Sequence, residues 1–398
     1  MDLNVIATFK TEDELHKHYP NTDKYSVDEI FEDYWSKFQN DNTDLNIREA
    51  VYYNVDRLLK CRTPKLGGAV FECPECGHST FHFFTCKCRI CPTCGAKYSN
   101  ERVLKAMSVM FHARHRHLTF TIAKQLRFYF RYDRNMLNLL FDAVDTTLTS
   151  WAKGLNKIEN FKLGFIQVLH TFGRPINWNP HIHALVAEVA MGNSTVEKKI
   201  DFFPYNMLRK RFQTILLKLM KKYIKANHPN LLKQFKSIEQ TLYKDYNNGF
   251  YARAPKQEFK DVKAGLEYIL RYCGRPVFAS SRIIDISNDY ITFWYQRHED
   301  DLYVVEKIHV YDFIKRIIMH IPEKGFKTIR YYGFYSKHHK QEENYHRLIN
   351  KRQYELKKQF LTWRLLSMQS FKEDPYKCEK CNSIMNICFY FRPGEVFF

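Results

Sequence analysis

The chain has 398 residues, enough for two or three domains with full-sized cores, and carries 62 Lys+Arg against 43 Asp+Glu, a formal net charge of +19. With an aromatic share of 16%, that balance suits a polyanionic partner whose flat bases can be stacked upon. No run approaches the length of a membrane span, and the start Met1-Asp2-Leu3-Asn4 has no basic or apolar leader. The expectation is a protein of the reducing cytoplasm, whose cysteines serve metal rather than disulfides.

Apolar residues at Val27, Ile30, Phe31, Tyr34 and Trp35, then at Ile47, Val51, Val55, Leu58 and Leu59, predict two short helices within 26–60. Residues 61–98 are rich in Cys, Gly, Pro and Thr, as in a metal-stapled knuckle. The pattern then alternates over 117–122, a strand, and a long amphipathic helix follows over 134–151. Residues 164–170 and 180–188 read as an antiparallel strand pair, and 204–245 as Lys-rich helix. A short strand is expected over 249–253, a helix over 262–273, and a strand hairpin over 282–295 turning at Asn288-Asp289. The stretch 310–366 reads as mostly helical and basic, broken at 329–333. The order β-α-β-β-α-β implies an α+β fold, an antiparallel sheet with helices on one face like a ferredoxin-type palm. The expected divisions are a helical region at 1–60, a knuckle at 61–98, a palm with its following helix at 99–300, and a basic region at 301–398.

Seven of the eleven cysteines lie between Cys61 and Cys94. Two CxxC turns, Cys73-Pro74-Glu75-Cys76-Gly77 and Cys91-Pro92-Thr93-Cys94-Gly95, each offer a pair of thiolates, and two such pairs close a tetrahedral Zn²⁺ site. Four protein ligands leave no open position, so the role is structural. Cys61, Cys86 and Cys88 are surplus, with Cys61 and Cys86 as alternative ligands and His78 and His82 as further candidates. Near the end, Cys378 and Cys381 supply two ligands and Cys388 a third, with no evident fourth.

The run Asn179-Pro180-His181-Ile182-His183 sets two imidazoles on one side of a strand, because residues two apart share a face. His181 and His183 can then hold one divalent ion, Mg²⁺ or Mn²⁺, while Ile182 turns into the core. A third ligand is expected across the hairpin, where His170 is the best donor and Gln167 stands behind it. Tyr268 and Tyr272 are four apart, so a helix would stack both phenols on one face. A phenol, with a pKa of about 10, needs a cation on a phosphodiester before it can attack. Arg271, Arg275 and Arg282 surround the pair and suit phosphate. Tyr331-Tyr332 is a rival pair, but adjacent residues point apart. No GxxxxGK[ST] loop is present.

From about residue 30 to 389 the chain resembles the bacterial rolling-circle insertion-sequence transposases of the HUH, two-tyrosine type. The resemblance rests on Cys61-Arg62-Thr63 with Leu66-Gly67-Gly68, the cysteines 73, 76, 86, 91 and 94, and Leu118-Thr119-Phe120-Thr121. It continues through Val168-Leu169-His170-Thr171, Pro180-His181-Ile182-His183 and Tyr268-Ile269-Leu270-Arg271-Tyr272, then Phe313-Ile314-Lys315-Arg316 to His320-Ile321-Pro322 and Ile329-Arg330-Tyr331-Tyr332-Gly333. It implies a zinc-binding region, an HUH endonuclease domain, and cleavage and transfer of single-stranded DNA at transposon ends and target through a 5′-phosphotyrosine. Three departures stand out: Ala123 replaces a common Pro, Cys88 is extra, and the C-terminal CxxC lacks the usual Pro and Gly. Two other functions compete with this one, a plasmid or phage rolling-circle replication initiator and a zinc-dependent DNA-binding regulator.

Overall fold

The structure, a computed structural model, describes residues 4–20, 24–95, 101, 113–194, 196–253, 276–336 and 362–392. The helix expected over 262–273, with Tyr268, Arg271, Tyr272 and Arg275, lies outside the described residues. Thirteen strands are described: β1 (Val5–Phe9), β2 (Gly68–Glu72), β3 (Ser79–Phe83), β4 (His115–Thr121), β5 (Lys162–Phe172), β6 (Trp178–Met191), β7 (Glu197–Lys199), β8 (Ala252–Arg253), β9 (Ile283–Ser287), β10 (Tyr290–Gln296), β11 (Tyr303–His309), β12 (Ile329–Gly333) and β13 (Asn386–Phe391).

The central sheet has the order β12-β5-β6-β4-β8, with β7 on β6, and every pairing is antiparallel. Strand β6 is thus inserted between β4 and β5, the split βαβ arrangement of a ferredoxin-like palm, with β12 added at one edge. The α+β reading holds. One face is apolar because alternate residues supply it: Leu118 and Phe120 from β4, Leu169 from β5, and Ile182, Ala184 and Val186 from β6 are all buried in one core. The helices Leu137–Lys153 and Tyr205–Asn227 cover this face with Leu140, Phe141, Val144, Leu148, Phe212 and Leu216.

A second core gathers the helices Val27–Asp41, Glu49–Leu59 and Val310–Ile318 against a sheet of order β1-β11-β10-β9. Ser26 and Glu29 form a capping box at the start of the first of these helices. The β9–β10 hairpin turns at Asn288 and Asp289, both with positive φ (52° and 62°), a two-residue turn whose twist matches the strands. Strands β1, β2, β3, β7, β11, β12 and β13 were not expected; β7 has only three residues, and β2, β3 and β13 lie in cysteine-rich surroundings that blur alternation. The third sheet, β13-β2-β3, joins the end of the described chain to its first cysteine region.

Gly164 on β5 lies under the ring of Phe334, where an added Cβ would sit 2.0 Å from a ring carbon. Gly164→Ala should therefore cost about 1–3 kcal/mol as overpacking. Gly164→Ala combined with Phe334→Ala should cost less than the two single losses added, because the clash is shared. Urea midpoints of the four proteins measure this, and strict additivity would contradict it.

Candidate metal-dependent active site

Strand pairing assembles the histidines. On β5 and β6, His170 is directly opposite His181 and Val168 opposite His183, while β4 sets Thr121 opposite His181 and Thr119 opposite His183. Directly paired residues share a face, so His170, His181 and His183 all project from the side of the sheet away from the palm helices. Their donor atoms lie within 4.8 Å of one another. Both the HxH pair and the third histidine sit together as the alternation of the strands requires.

The ring orientations fit an ion. His181 Nδ1 lies 2.7 Å from the carbonyl of Asn179, so it donates there and leaves Nε2 as a lone pair. His183 Nδ1 faces Nε2 of His117 at 2.8 Å, with the Thr119 hydroxyl at 3.3 Å. Donation from His183 to His117 likewise frees His183 Nε2. The two freed nitrogens are 3.0 Å apart, close to the edge of an octahedron with bonds of about 2.1 Å. Imidazole nitrogens are softer donors than the oxygens that Mg²⁺ prefers, so three of them suit a first-row transition ion better.

Electrostatics keep these rings neutral. Burial lowers His117 and His181 to about 4, and burial, then His170, His181 and His117, hold His183 well below the usual histidine value. Arg127, His298 and Arg89 add to the depression at His181. Arg127 and Arg89 create a positive field beside the three histidines, suited to a phosphate. Arg89 sits in the knuckle and donates from Nη2 to the Leu169 carbonyl (3.3 Å), one residue before His170. His117, Arg89 and Arg127 were missed in the sequence; alternation of His117 with Thr119 on β4 was the available signal.

The remaining candidates are placed differently from expectation. Arg282 donates to the carbonyls of Trp294 and Arg174, each at 2.7 Å, and packs over Phe278. It braces the β5–β6 turn, in place of the DNA contact expected of it. Gln167 donates to the Phe141 carbonyl (3.2 Å) on the core side of the sheet, and so is no ligand. Tyr332 stacks on Phe165, and burial raises its phenol to about 12. That environment disfavours a phenolate and leaves it a poor nucleophile.

The cysteines form two groups, and the pairing of both CxxC turns into one site is corrected. Cys91 and Cys94 gather with Cys61 and Cys86, whereas Cys73 and Cys76 lie with Cys378 and Cys381. The reason is the β2–β3 hairpin. Cys73 and Cys76 cap its tip, and five-residue strands carry that tip roughly 17 Å from its base, where Cys86 follows. In the first group the sulfurs of Cys61 and Cys94 are 3.8 Å apart, those of Cys91 and Cys61 3.8 Å, and those of Cys86 and Cys94 3.4 Å. Tetrahedral Zn–S bonds of 2.3 Å give edges of about 3.8 Å. Backbone amides of Cys86, Cys88 and Cys94 point at the sulfurs of Cys61, Cys86 and Cys91. Cys88 turns its thiol to the Asn54 carbonyl (3.1 Å) and is no ligand.

Two family models match the chain: one described as "Transposase zinc-binding domain" over residues 30–122, the other as "Putative transposase" over residues 164–343. Together with the palm and the cysteine groups they define the class, a transposase with an N-terminal zinc-binding region. Over 72% of its length the chain is 28% identical to the transposase for insertion sequence element IS801 of Pseudomonas savastanoi pv. phaseolicola, covering 71% of that protein. It is 25% identical to "Putative transposase y4qJ" of Sinorhizobium fredii (strain NBRC 101917 / NGR234) over 80% of its own length and 82% of that protein's. The chain is thus a transposase similar to that of IS801 along most of its length. No solved structure matches it. No described helix is long and apolar enough to cross a membrane.

Two outcomes follow. His117→Ala should weaken Mn²⁺ binding about 10–100-fold by freeing the His183 ring, while His117→Gln, which keeps an acceptor, should recover part of the loss; Mn²⁺ titration by electron paramagnetic resonance reads this. An unchanged affinity for His117→Ala would exclude the positioning role. Secondly, burial lowers His115, His117 and His181 to about 4 and His320 to about 3. Unfolded histidines take up protons near pH 6.5, but these folded ones stay neutral until about pH 4. Stability of the metal-free protein should be flat above pH 7 and fall steeply from pH 6.5 towards 4, with a slope of about 1.4 kcal/mol per pH unit per histidine. Urea midpoints that stay constant across that window would show the rings are not protected.

Proposed function

We propose that this transposase nicks single-stranded transposon ends with a tyrosine nucleophile, keeps the strand as a 5′-phosphotyrosine, and passes it on by a rolling-circle route. The observation that carries the reading is the convergence of His170, His181 and His183, with two ring tautomers fixed by Asn179 and His117, on the face of the palm opposite its helices. A divalent ion bound there would neutralise charge on the scissile phosphate and hold it in line. The chain's own residues do the rest. Arg89 and Arg127 supply positive charge at that face, and Tyr268 or Tyr272 loses its proton as its oxygen bonds phosphorus. The 3′ oxygen of the preceding nucleotide leaves and takes up a proton. Because the phosphodiester energy stays in the tyrosyl ester, rejoining needs no nucleotide triphosphate.

The described chain breaks off at Arg253 on β8, which pairs with Thr119, and Thr119 in turn pairs with His183. Strand β8 is thus separated from the strand of His181 and His183 by β4 alone, and the assignment of Tyr268 and Tyr272 rests on their four-residue spacing. Two phenols at helical spacing, roughly 5–6 Å apart, would allow a second cleavage while the first strand is still attached. The basic and aromatic composition favours unpaired bases over a closed duplex.

Tyr268→Phe with Tyr272→Phe keeps ring packing and removes both oxygens, so it should eliminate the covalent protein–DNA species formed on single-stranded oligonucleotides of the element's ends. Either single variant should still nick but lose most complete strand transfer. His181→Ala should abolish nicking with DNA binding nearly unchanged, because the ion acts on the transition state. A denaturing gel of labelled oligonucleotide reads all four proteins. An adduct persisting in the double tyrosine variant would overturn the assignment.

A further inference from the structure

We propose that Cys73, Cys76, Cys378 and Cys381 hold a second zinc ion, which fastens the end of the described chain to its first cysteine turn. The matched zinc-binding model stops at residue 122 and does not reach two of these ligands. The four sulfurs lie within 4.8 Å of one another, with Cys73 to Cys381 at 3.3 Å and Cys76 to Cys378 at 3.6 Å. A disulfide would need about 2.05 Å, whereas a tetrathiolate site has edges of about 3.8 Å.

The second argument is the backbone. Around the first pair, the Cys73 amide donates to the His78 carbonyl and the Gly77 amide to the Cys73 carbonyl, both at 2.9 Å. Around the second, the Cys378 amide donates to the Ser383 carbonyl and the Asn382 amide to the Cys378 carbonyl, again both at 2.9 Å. The amides of His78 and Ser383 point at the sulfurs of Cys76 and Cys381. The two turns are the same device, built twice and facing each other. Gly77 has φ 66° and Asn382, four residues before β13 begins, has φ 61°. Asn is the residue after Gly that best tolerates that conformation, since its short polar side chain bonds locally. The missing Gly of the C-terminal CxxC is thereby replaced.

The surroundings agree. Cys73 and Cys378 are buried with Ala69, Phe71 and Met385 in a small core, and β13 runs antiparallel to β2 beside it. Cys388 lies apart, with its thiol on Glu72 Oε2 (3.4 Å). Four thiols would release their protons as the ion binds, and no oxidant is involved. Since the two ligand pairs flank the palm in sequence, the ion closes a loop of the chain that includes the palm.

Native mass spectrometry of the full chain, purified with reductant and without chelator, tests the site. Two zinc ions per wild-type chain are expected, and two in Cys388→Ser. Cys378→Ser with Cys381→Ser should hold one, with amide exchange rising over residues 386–391. In the wild type, alkylation mapping should show Cys378 and Cys381 protected until a chelator is added, which reads the site even if the variant misfolds. One zinc in the wild type, two in the double variant, or disulfide-linked peptides among these four cysteines would each overturn the proposal.

Discussion

Everything at the candidate site depends on the register of β5 against β6. Side chains alternate across a sheet, so a slip of one residue would turn His181 and His183 into the apolar core and bring Ile182 to the open face. The register is fixed at the turn between the strands, residues 173–177. There Ile176 is fully buried yet has φ 61°, an unfavourable conformation for a β-branched residue. It persists because the surroundings over-determine it. His320 Nε2 donates to the Ile176 carbonyl at 3.1 Å, Arg316 donates to Pro175 at 3.2 Å, and Arg282 donates to Arg174 at 2.7 Å. All three donors are sequence neighbours of second-core residues, Ile283, Ile317 and Ile321, so residues outside the palm strands set the geometry of its histidines.

That dependence explains a chemical choice. A metal site made of imidazoles must resist protonation, which burial achieves, but burial also makes each ring need a hydrogen-bond partner. The fold supplies a carbonyl for His181 and a third-strand histidine for His183. His320 solves the same problem at the turn by accepting from the Thr171 hydroxyl at Nδ1 (3.1 Å) while donating from Nε2. The cations that help keep the rings neutral are the ones that would meet a phosphate. One arrangement therefore serves both ligand protonation and substrate charge.

The palm was largely legible in the sequence because its strands are long and alternate, and its helices carry an unbroken apolar stripe. HxH on a strand put two imidazoles on one face, and the paired strand brought a third beside them. The cysteine pairing was not legible. Sequence proximity favours joining Cys73 and Cys76 to Cys91 and Cys94, and only the β2–β3 hairpin, too short and too mixed in character to be read, separates them. The partners of Cys73 and Cys76 lie some three hundred residues on, a distance at which spacing carries no information, since closing a longer loop costs only slightly more. Arg282 was misread for a related reason. A cation near a phosphate-binding motif looks like a ligand for it, but two carbonyls left exposed by an irregular turn are an equally strong demand on a guanidinium.

The cysteine region is joined to the palm by more than the chain. Arg89 lies between Cys88 and Cys91, so the Cys61, Cys86, Cys91 and Cys94 cluster holds its backbone, and its side chain reaches the strand that carries His170. Arg57, on the helix Glu49–Leu59, donates to the Cys86 carbonyl at 3.1 Å, and the Cys88 thiol donates to Asn54 on the same helix. Helix, cysteine cluster and palm strand thus form a continuous set of contacts. A cluster with four protein ligands has no open position for catalysis, yet here it places a cation beside the histidines. The cysteine cluster and the three histidines are in that sense parts of one arrangement, with the first fixing a positive charge beside the second.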